Sequence, residues 1–151
     1  MIYKYSANSR AKLQTCHPNL QAIAKRALEI SPVDITIVHG LRGEELQNTL
    51  VKSGFSTLKY PKSNHNQTKD PDLIGTDGTF FFSDALDFGP YVPGIGISWK
   101  DTHMFAVIAG VFMAAAKDLG FKLRWGGDWD MDGQTTDQKF MDWGHIELFW
   151  E

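Results

Sequence analysis

Two histidines and two acids in this chain are of types that could do chemistry together. Asp142-Trp143-Gly144-His145-Ile146-Glu147-Leu148 sets an acid three residues before a histidine that opens a short apolar run. Upstream, Ser63-Asn64-His65 holds a second histidine and Ser83-Asp84-Ala85-Leu86-Asp87-Phe88 a second acid. Together they supply two imidazoles, one carboxylate ligand in Asp87 and one spare carboxylate in Asp142. A catalytic zinc site needs that inventory: three protein ligands, one open position for water, and a nearby base. The residues alone leave a plainer alternative open. Isolated histidines and strand aspartates commonly serve packing or face solvent, and His65 and Asp87 lie 22 positions apart.

The elements that would position them follow from apolar spacing. Leu13, Leu20, Ile23, Ala27 and Leu28 recur at helical intervals, interrupted by His17-Pro18, which predicts two short helices or one kinked helix ending at Ser31-Pro32. Asp34 to His39 is β-branched and compact, a buried strand, and Glu44 to Lys52 reads as helix after the turn Gly40-Leu41-Arg42-Gly43. Gly54 to Phe80 is polar and irregular, longer than an ordinary connection. Asp84 to Phe88 reads as a strand running into a turn at Gly89-Pro90, with another short strand near Ile95 to Trp99. Asp101 caps a helix over His103 to Leu119 that Gly120 stops. Phe121 to Trp125 and His145 to Trp150 read as strands around a loop, Gly126 to Trp143. The sum is one α+β domain over residues 1–151: a small antiparallel sheet with helices packed on it and a metal site in a cleft at the sheet.

Composition narrows the classes. A chain of 151 residues, 42% hydrophobic and 22% charged, can bury a real core as a single domain. The net charge of −3 offers no broad basic field, which argues against nucleic acid as a partner. Cys16 is the single cysteine, so internal disulfides and thiolate metal cages are excluded. No apolar run approaches the ~20 residues of a bilayer span, and the opening Met1-Ile2-Tyr3-Lys4-Tyr5-Ser6 lacks a signal-peptide pattern. A monomer made in the cytoplasm, without membrane insertion, is the expectation.

Lys62-Ser63-Asn64-His65, Asp84-Ala85-Leu86-Asp87-Phe88 and Asp142-Trp143-Gly144-His145-Ile146-Glu147-Leu148 resemble the split metal motif of the zinc D-Ala-D-Ala carboxypeptidase and L-alanyl-D-glutamate peptidase family. Three further segments, Ile35 to Arg42, Phe88 to Val92 and Leu123 to Trp129, resemble in order those of single-domain phage endolysins of the L-alanyl-D-glutamate type. The resemblance implies that His65, Asp87 and His145 hold zinc, that Asp142 is the catalytic base, and that Arg42 holds substrate or stabilises the oxyanion. Ser63 and Trp143 are candidate substrate-binding residues, although Ser63 could equally cap its turn. Glu147, on the same strand face as His145, reads as support for that ligand or as a solvated residue.

By the same resemblance the partner is the stem peptide of bacterial peptidoglycan, cleaved at the L-alanyl-D-glutamate bond. A phage-encoded enzyme of this kind, made in the host cytoplasm, reaches the wall once another protein has opened the membrane. Two alternatives remain: a D-Ala-D-Ala carboxypeptidase, and an inactive module that grips peptidoglycan. One departure from the family pattern is the longer stretch between His65 and Asp87. It places an insertion at about Asn66 to Phe82, which costs little in closure entropy and is expected to form a flap or wall beside the zinc.

Asp128-Trp129-Asp130-Met131-Asp132-Gly133 opens like a calcium loop, with acids at alternate positions before a glycine. The pattern fails at its twelfth position, Lys139, so a solvated acidic loop is the reading preferred over calcium. His39 is expected to be a satisfied core histidine that could line the cleft, and His17 and His103 to be surface or helix-end residues.

Overall fold

The computed structural model describes residues 2–151. Helix α1 spans Ala7–Leu13 and α2 Pro18–Ile30, so the break at His17-Pro18 separates two helices. Pro18 occupies the first turn of α2, where its missing N–H would have had no helical partner. His17 caps that turn, its Nδ1 accepting from the Asn19 N–H at 2.9 Å. His17 is therefore a helix-end residue, but it is buried rather than on the surface.

Strand β1 (Ile35–His39) and helix α3 (Glu44–Lys52) follow, then a single 3-10 turn at Pro71–Leu73. Strand β2 covers Ala85–Val92 and β3 Gly96–Ile97. The expected turn at Gly89-Pro90 is instead the middle of β2, where Ile35 pairs with Pro90 and Thr36 with Gly89. Gly89 is needed there because a Cβ would lie 2.5 Å from Ile97 Cγ2, so only glycine lets β3 fold back across it. Helix α4 (Thr102–Leu119) is capped by the Asp101 side chain, which accepts from the Met104 N–H at 3.1 Å, and ends at Gly120 with φ 81°. Strands β4 (Leu123–Trp125) and β5 (His145–Leu148) complete the chain.

The sheet is antiparallel, in the order β1-β2-β5-β4, with β3 on the far part of β2. Strand alternation sorts its two faces. Ile37, Leu86, Phe88, Leu123, Trp125, Ile146 and Leu148 point into the core against α2 and α4, all buried. Although α4 is 18 residues long and apolar, Phe105, Ile108, Ala109 and Phe112 on it pack inside this core. Phe88 and Phe112 are fully enclosed with ring centroids 5.1 Å apart, and truncating such a residue typically costs about 3–5 kcal/mol.

The opposite face carries Asp87, His145, Glu147 and Arg124. Register sets Asp87 directly across from His145, and Glu147 across from Arg124. On the other side of β2, a register shift between Ile37 and His39 makes Val38 the extra residue. Without it Val38 would oppose Asp87; with it His39 does, because one added residue inverts the faces of a strand.

The insertion does not wall the cleft. Its root is buried through Asn66 and Thr68, and Asp70 reaches away to the α1–α2 junction, where its Oδ2 lies 2.8 Å from His17 Nε2. Since His17 Nδ1 is already an acceptor, Nε2 carries the proton and donates to Asp70. That hydrogen bond holds the Asp70 carboxyl below its usual range.

Candidate functional site

His65, Asp87 and His145 converge. His65 Nε2 lies 3.1 Å from Asp87 Oδ1 and 3.1 Å from His145 Nδ1, and His145 Nδ1 lies 3.2 Å from Asp87 Oδ1. Three ligand atoms around a tetrahedral zinc with bonds near 2.05 Å stand about 3.3 Å apart, so this triangle has the right size. Strand register delivers two of the three ligands. The third comes from a tight turn in which the Ser63 Oγ accepts from the His65 N–H at 3.2 Å and Asn66 Oδ1 accepts from the Ser63 N–H at 3.1 Å. Of the two roles open to Ser63, the turn-capping one is visible here.

The surrounding hydrogen bonds fix what the triangle presents. His65 Nδ1–H donates to the Gly40 carbonyl at 2.9 Å, leaving Nε2 as a lone pair. His145 Nε2–H donates to Glu147 Oε1 at 2.8 Å, leaving Nδ1 as a lone pair. Glu147 is in turn held by Asn64 Nδ2 at 2.7 Å and Arg124 at 2.9 Å. With both imidazoles neutral, two nitrogen lone pairs and a carboxylate oxygen face one another, an arrangement that calls for a positive charge at its centre, a metal ion or a proton.

The protonation behaviour without metal says the same. Burial opposes charge on His145, yet its hydrogen bonds to Asp87 and Glu147 push it up to about 10. Burial lowers His65, outweighing its attraction to Asp87. Burial would raise Asp87, but its contacts with His65, His145 and His39 hold it well below the carboxylate range. Glu147, against the same burial, is held at about 2 by His145 and Arg124. A metal ion held here would take the place of the proton that the cluster otherwise draws onto His145.

Arg42 donates to Asp87 Oδ2 and, at 3.0 Å, to His39 Nδ1. It does not pair with Glu44 or Glu45. Its backbone is pinned by the Arg42 N–H on the His65 carbonyl at 2.7 Å and by Asn66 Nδ2 on its own carbonyl at 3.0 Å. The guanidinium therefore orients the free oxygen of the candidate carboxylate ligand. His39 is at the rim of the cluster, 30% exposed and not a core residue.

Asp142 lines the same cleft, a hollow of about 260 Å³ that also includes Arg42, Phe55, Lys62, Trp129 and Phe140. It is placed by Gly126, whose carbonyl accepts the Asp142 N–H at 2.8 Å and whose N–H reaches the His145 carbonyl at 2.9 Å. A Cβ on Gly126 would stand 2.8 Å from Asp142 Cβ and collide with the Asp142 carbonyl oxygen. Burial, then the charge of Asp87, raises Asp142 above the ordinary carboxylate value, which makes it a stronger base.

Trp143 packs against Trp125, ring centroids 5.8 Å apart, and its carbonyl accepts from Trp125 Nε1 at 2.8 Å. The aromatic wall of the cleft is instead Trp129, stacked on Phe140 and 5.4 Å from the His145 ring. The remaining wall comes from residues 55–65, and none from 70–82. Arg124, Trp129 and Asn64 were not singled out from sequence. Arg124 had a signal, because Leu123 and Trp125 on either side are core residues and alternation turns it to the polar face.

Asp128, Asp130 and Asp132 also converge, with one oxygen from each within 4.8 Å of the others. Their oxygens are already supplied with donors. Asp128 accepts the N–H groups of Asp132 at 3.2 Å and Gly133 at 2.9 Å, Asp132 accepts Gln134 N–H at 2.8 Å, and Asp130 accepts Gln138 Nε2 at 3.0 Å. Cys16 is buried, and burial raises its thiol to about 12, which removes it as a nucleophile. Two wider hollows, of about 430 Å³ beside Phe121 and Trp150 and about 400 Å³ along β1, contain none of the cluster residues.

Comparison with known proteins agrees with this geometry. The L-alanyl-D-glutamate peptidase of Escherichia phage T5 is 38% identical over 151 residues, covering 98% of this chain and 99% of that protein. The crystal structure of the Serratia marcescens L-Ala D-Glu endopeptidase ChiX superposes with a TM-score of 0.70 at 25% identity, covering 97% of this chain and 90% of that one. Residues 1–149 match the phage L-alanyl-D-glutamate peptidases, and the chain belongs to that family.

Proposed function

We propose that this protein is a zinc-dependent peptidoglycan endopeptidase that hydrolyses the L-alanyl-D-glutamate bond of the stem peptide, as a phage endolysin. The observation that carries the reading is the triangle of His65 Nε2, Asp87 Oδ1 and His145 Nδ1, at the spacing of ligand atoms around one ion, beside the carboxylate of Asp142. Both relatives named above carry the peptidase activity in their names. Zinc held by these residues would supply Lewis acidity and lower the pKa of water to about 7.

The chain's own residues do the rest. Asp142 takes the proton of the attacking water and returns it to the leaving amine nitrogen, the step its raised basicity suits. Glu147 and the Gly40 carbonyl hold the two imidazoles in the tautomers that leave lone pairs inward. Arg42 fixes Asp87 and contributes its charge to the developing oxyanion. Trp129 and Phe140 cover one side of the cleft and limit water.

Aspartates 128, 130 and 132 take no part in this reading, since the loop itself satisfies them. The enzyme would act on the wall after another protein has opened the membrane. Digestion of purified muropeptides tests the assignment. Mass spectrometry should show a new peptide beginning with D-glutamate, and release of single D-alanine would make the protein a carboxypeptidase instead.

A further inference from the structure

Most of the charge in the cleft is paired, and one cation is not. Asp87, Asp142 and Glu147 lie in or beside it, and its cations are Arg42, Arg124 and Lys62. Arg42 is committed to Asp87 and His39. Arg124 is committed to Glu147, with its guanidinium 5.6 Å from the centres of Trp129 and Phe149. Among the described residues Lys62 has no acidic partner within 4.0 Å and its amine makes no hydrogen bond, although the backbone beneath it is anchored by the Lys62 N–H on the Lys59 carbonyl at 2.9 Å. Lys62 is exposed and precedes His65 by three residues.

The substrate supplied by the reading above needs such a cation. A glutamyl residue acylated on nitrogen by alanine keeps two carboxyl groups, of which one at most continues the peptide. At least one carboxylate therefore sits within a few bonds of the nitrogen that becomes the leaving amine. On entering the cleft that anion gives up water and comes near Asp142, the one acid there without an ion-pair partner among the described residues, so an unpaired cation would stabilise it. A lysine suits the task, being a compact charge on a flexible stem that can follow the substrate into place.

We propose that Lys62 is a specificity-determining residue that binds the free carboxylate of the glutamyl residue on the leaving side of the scissile bond. The proposal rests on the peptidase reading. It predicts discrimination between a substrate bearing that carboxylate and the same substrate bearing a carboxamide.

The test measures kcat/KM of the zinc-loaded protein on a matched pair of stem peptides, acid and amide, for wild type, Lys62→Gln and Lys62→Arg. The wild type should prefer the acid by about tenfold or more, as expected for a charge-assisted hydrogen bond. Lys62→Gln should bring the ratio near unity by raising KM on the acid alone, with kcat little changed, and Lys62→Arg should keep most of the preference. Equal loss on both peptides, or an unchanged preference in Lys62→Gln, would overturn the role of Lys62 while leaving the peptidase reading intact. Hydrolysis of neither peptide by wild type would overturn the peptidase reading, and the proposal with it.

Discussion

Among the described residues two groups of side chains could hold a metal ion, and they differ in where their hydrogens come from. In the His65, Asp87 and His145 triangle the N–H groups of the neutral imidazoles point outward, to Gly40 and to Glu147, so only an added positive charge can satisfy the interior. In the Asp128, Asp130 and Asp132 loop the oxygens accept from backbone and glutamine N–H groups of the loop itself. Two members of the first cluster stand on strands whose register is fixed by the core and the third on a buried turn, whereas the second cluster is largely exposed. Convergence of ligand atoms is common to both. The supply of donors is what separates a group that requires a cation from one that is complete without it.

The contrast can be broken most forcefully at the first cluster. His145→Ala should abolish zinc retention and reduce hydrolysis to background, and full metal content in that variant would remove the cluster from consideration. Asp142→Asn should keep its zinc while kcat falls by about 10²–10⁴, the usual worth of a general base, which single-turnover kinetics with parallel metal analysis would measure. Glu147→Gln removes the carboxylate that orients His145. Its zinc affinity, read by competition with a chromogenic chelator, should weaken by about 10–100-fold, and an unchanged value would mean that the outward hydrogen bond does not matter.

The smallest effect belongs to the aspartate loop. The hydrogen bond from Gln138 holds the Asp130 carboxyl below its ordinary value of 3.8. A depressed carboxyl contributes stability above its unfolded value, lost as pH falls through the folded one, so this contribution disappears below pH 3.8. Gln138→Ala should move the Asp130 titration upward toward 3.8, followed by carboxyl NMR, with zinc content and turnover at neutral pH unaffected.

Much of this was legible in the chain. The helix over Glu44–Lys52 follows from apolar spacing, and Asp101 and Gly120 bracket α4 because cap chemistry is local. Asp142 and His145 were readable because they lie three residues apart around a strand start, and the order of several motifs along the chain brought His65 and Asp87 to them. What escaped depends on distant contact. The run through Gly89-Pro90 looks like a turn, yet β1 on one side and the close approach of Ile97 keep it extended. The bulge that brings His39 beside Asp87 cannot be seen without knowing the partner strand. The stretch read as an insertion leaves one candidate ligand and returns to another, which suggests a place at the metal, but the Lys69 N–H on Asp84 and Asp70 on the buried cap His17 hold it on another side. Trp143 and Trp129 are equally aromatic in sequence, and only packing decides that the first faces Trp125 and the second the cleft.

Zinc stoichiometry bears most directly on the proposal that the His65, Asp87 and His145 triangle is a metal centre. Chelator-stripped protein, titrated calorimetrically with zinc, should take up one equivalent per chain, and His145→Ala, folded by circular dichroism, should take up none. A folded wild-type protein that binds no zinc, or a His145→Ala variant that binds a full equivalent, would contradict it.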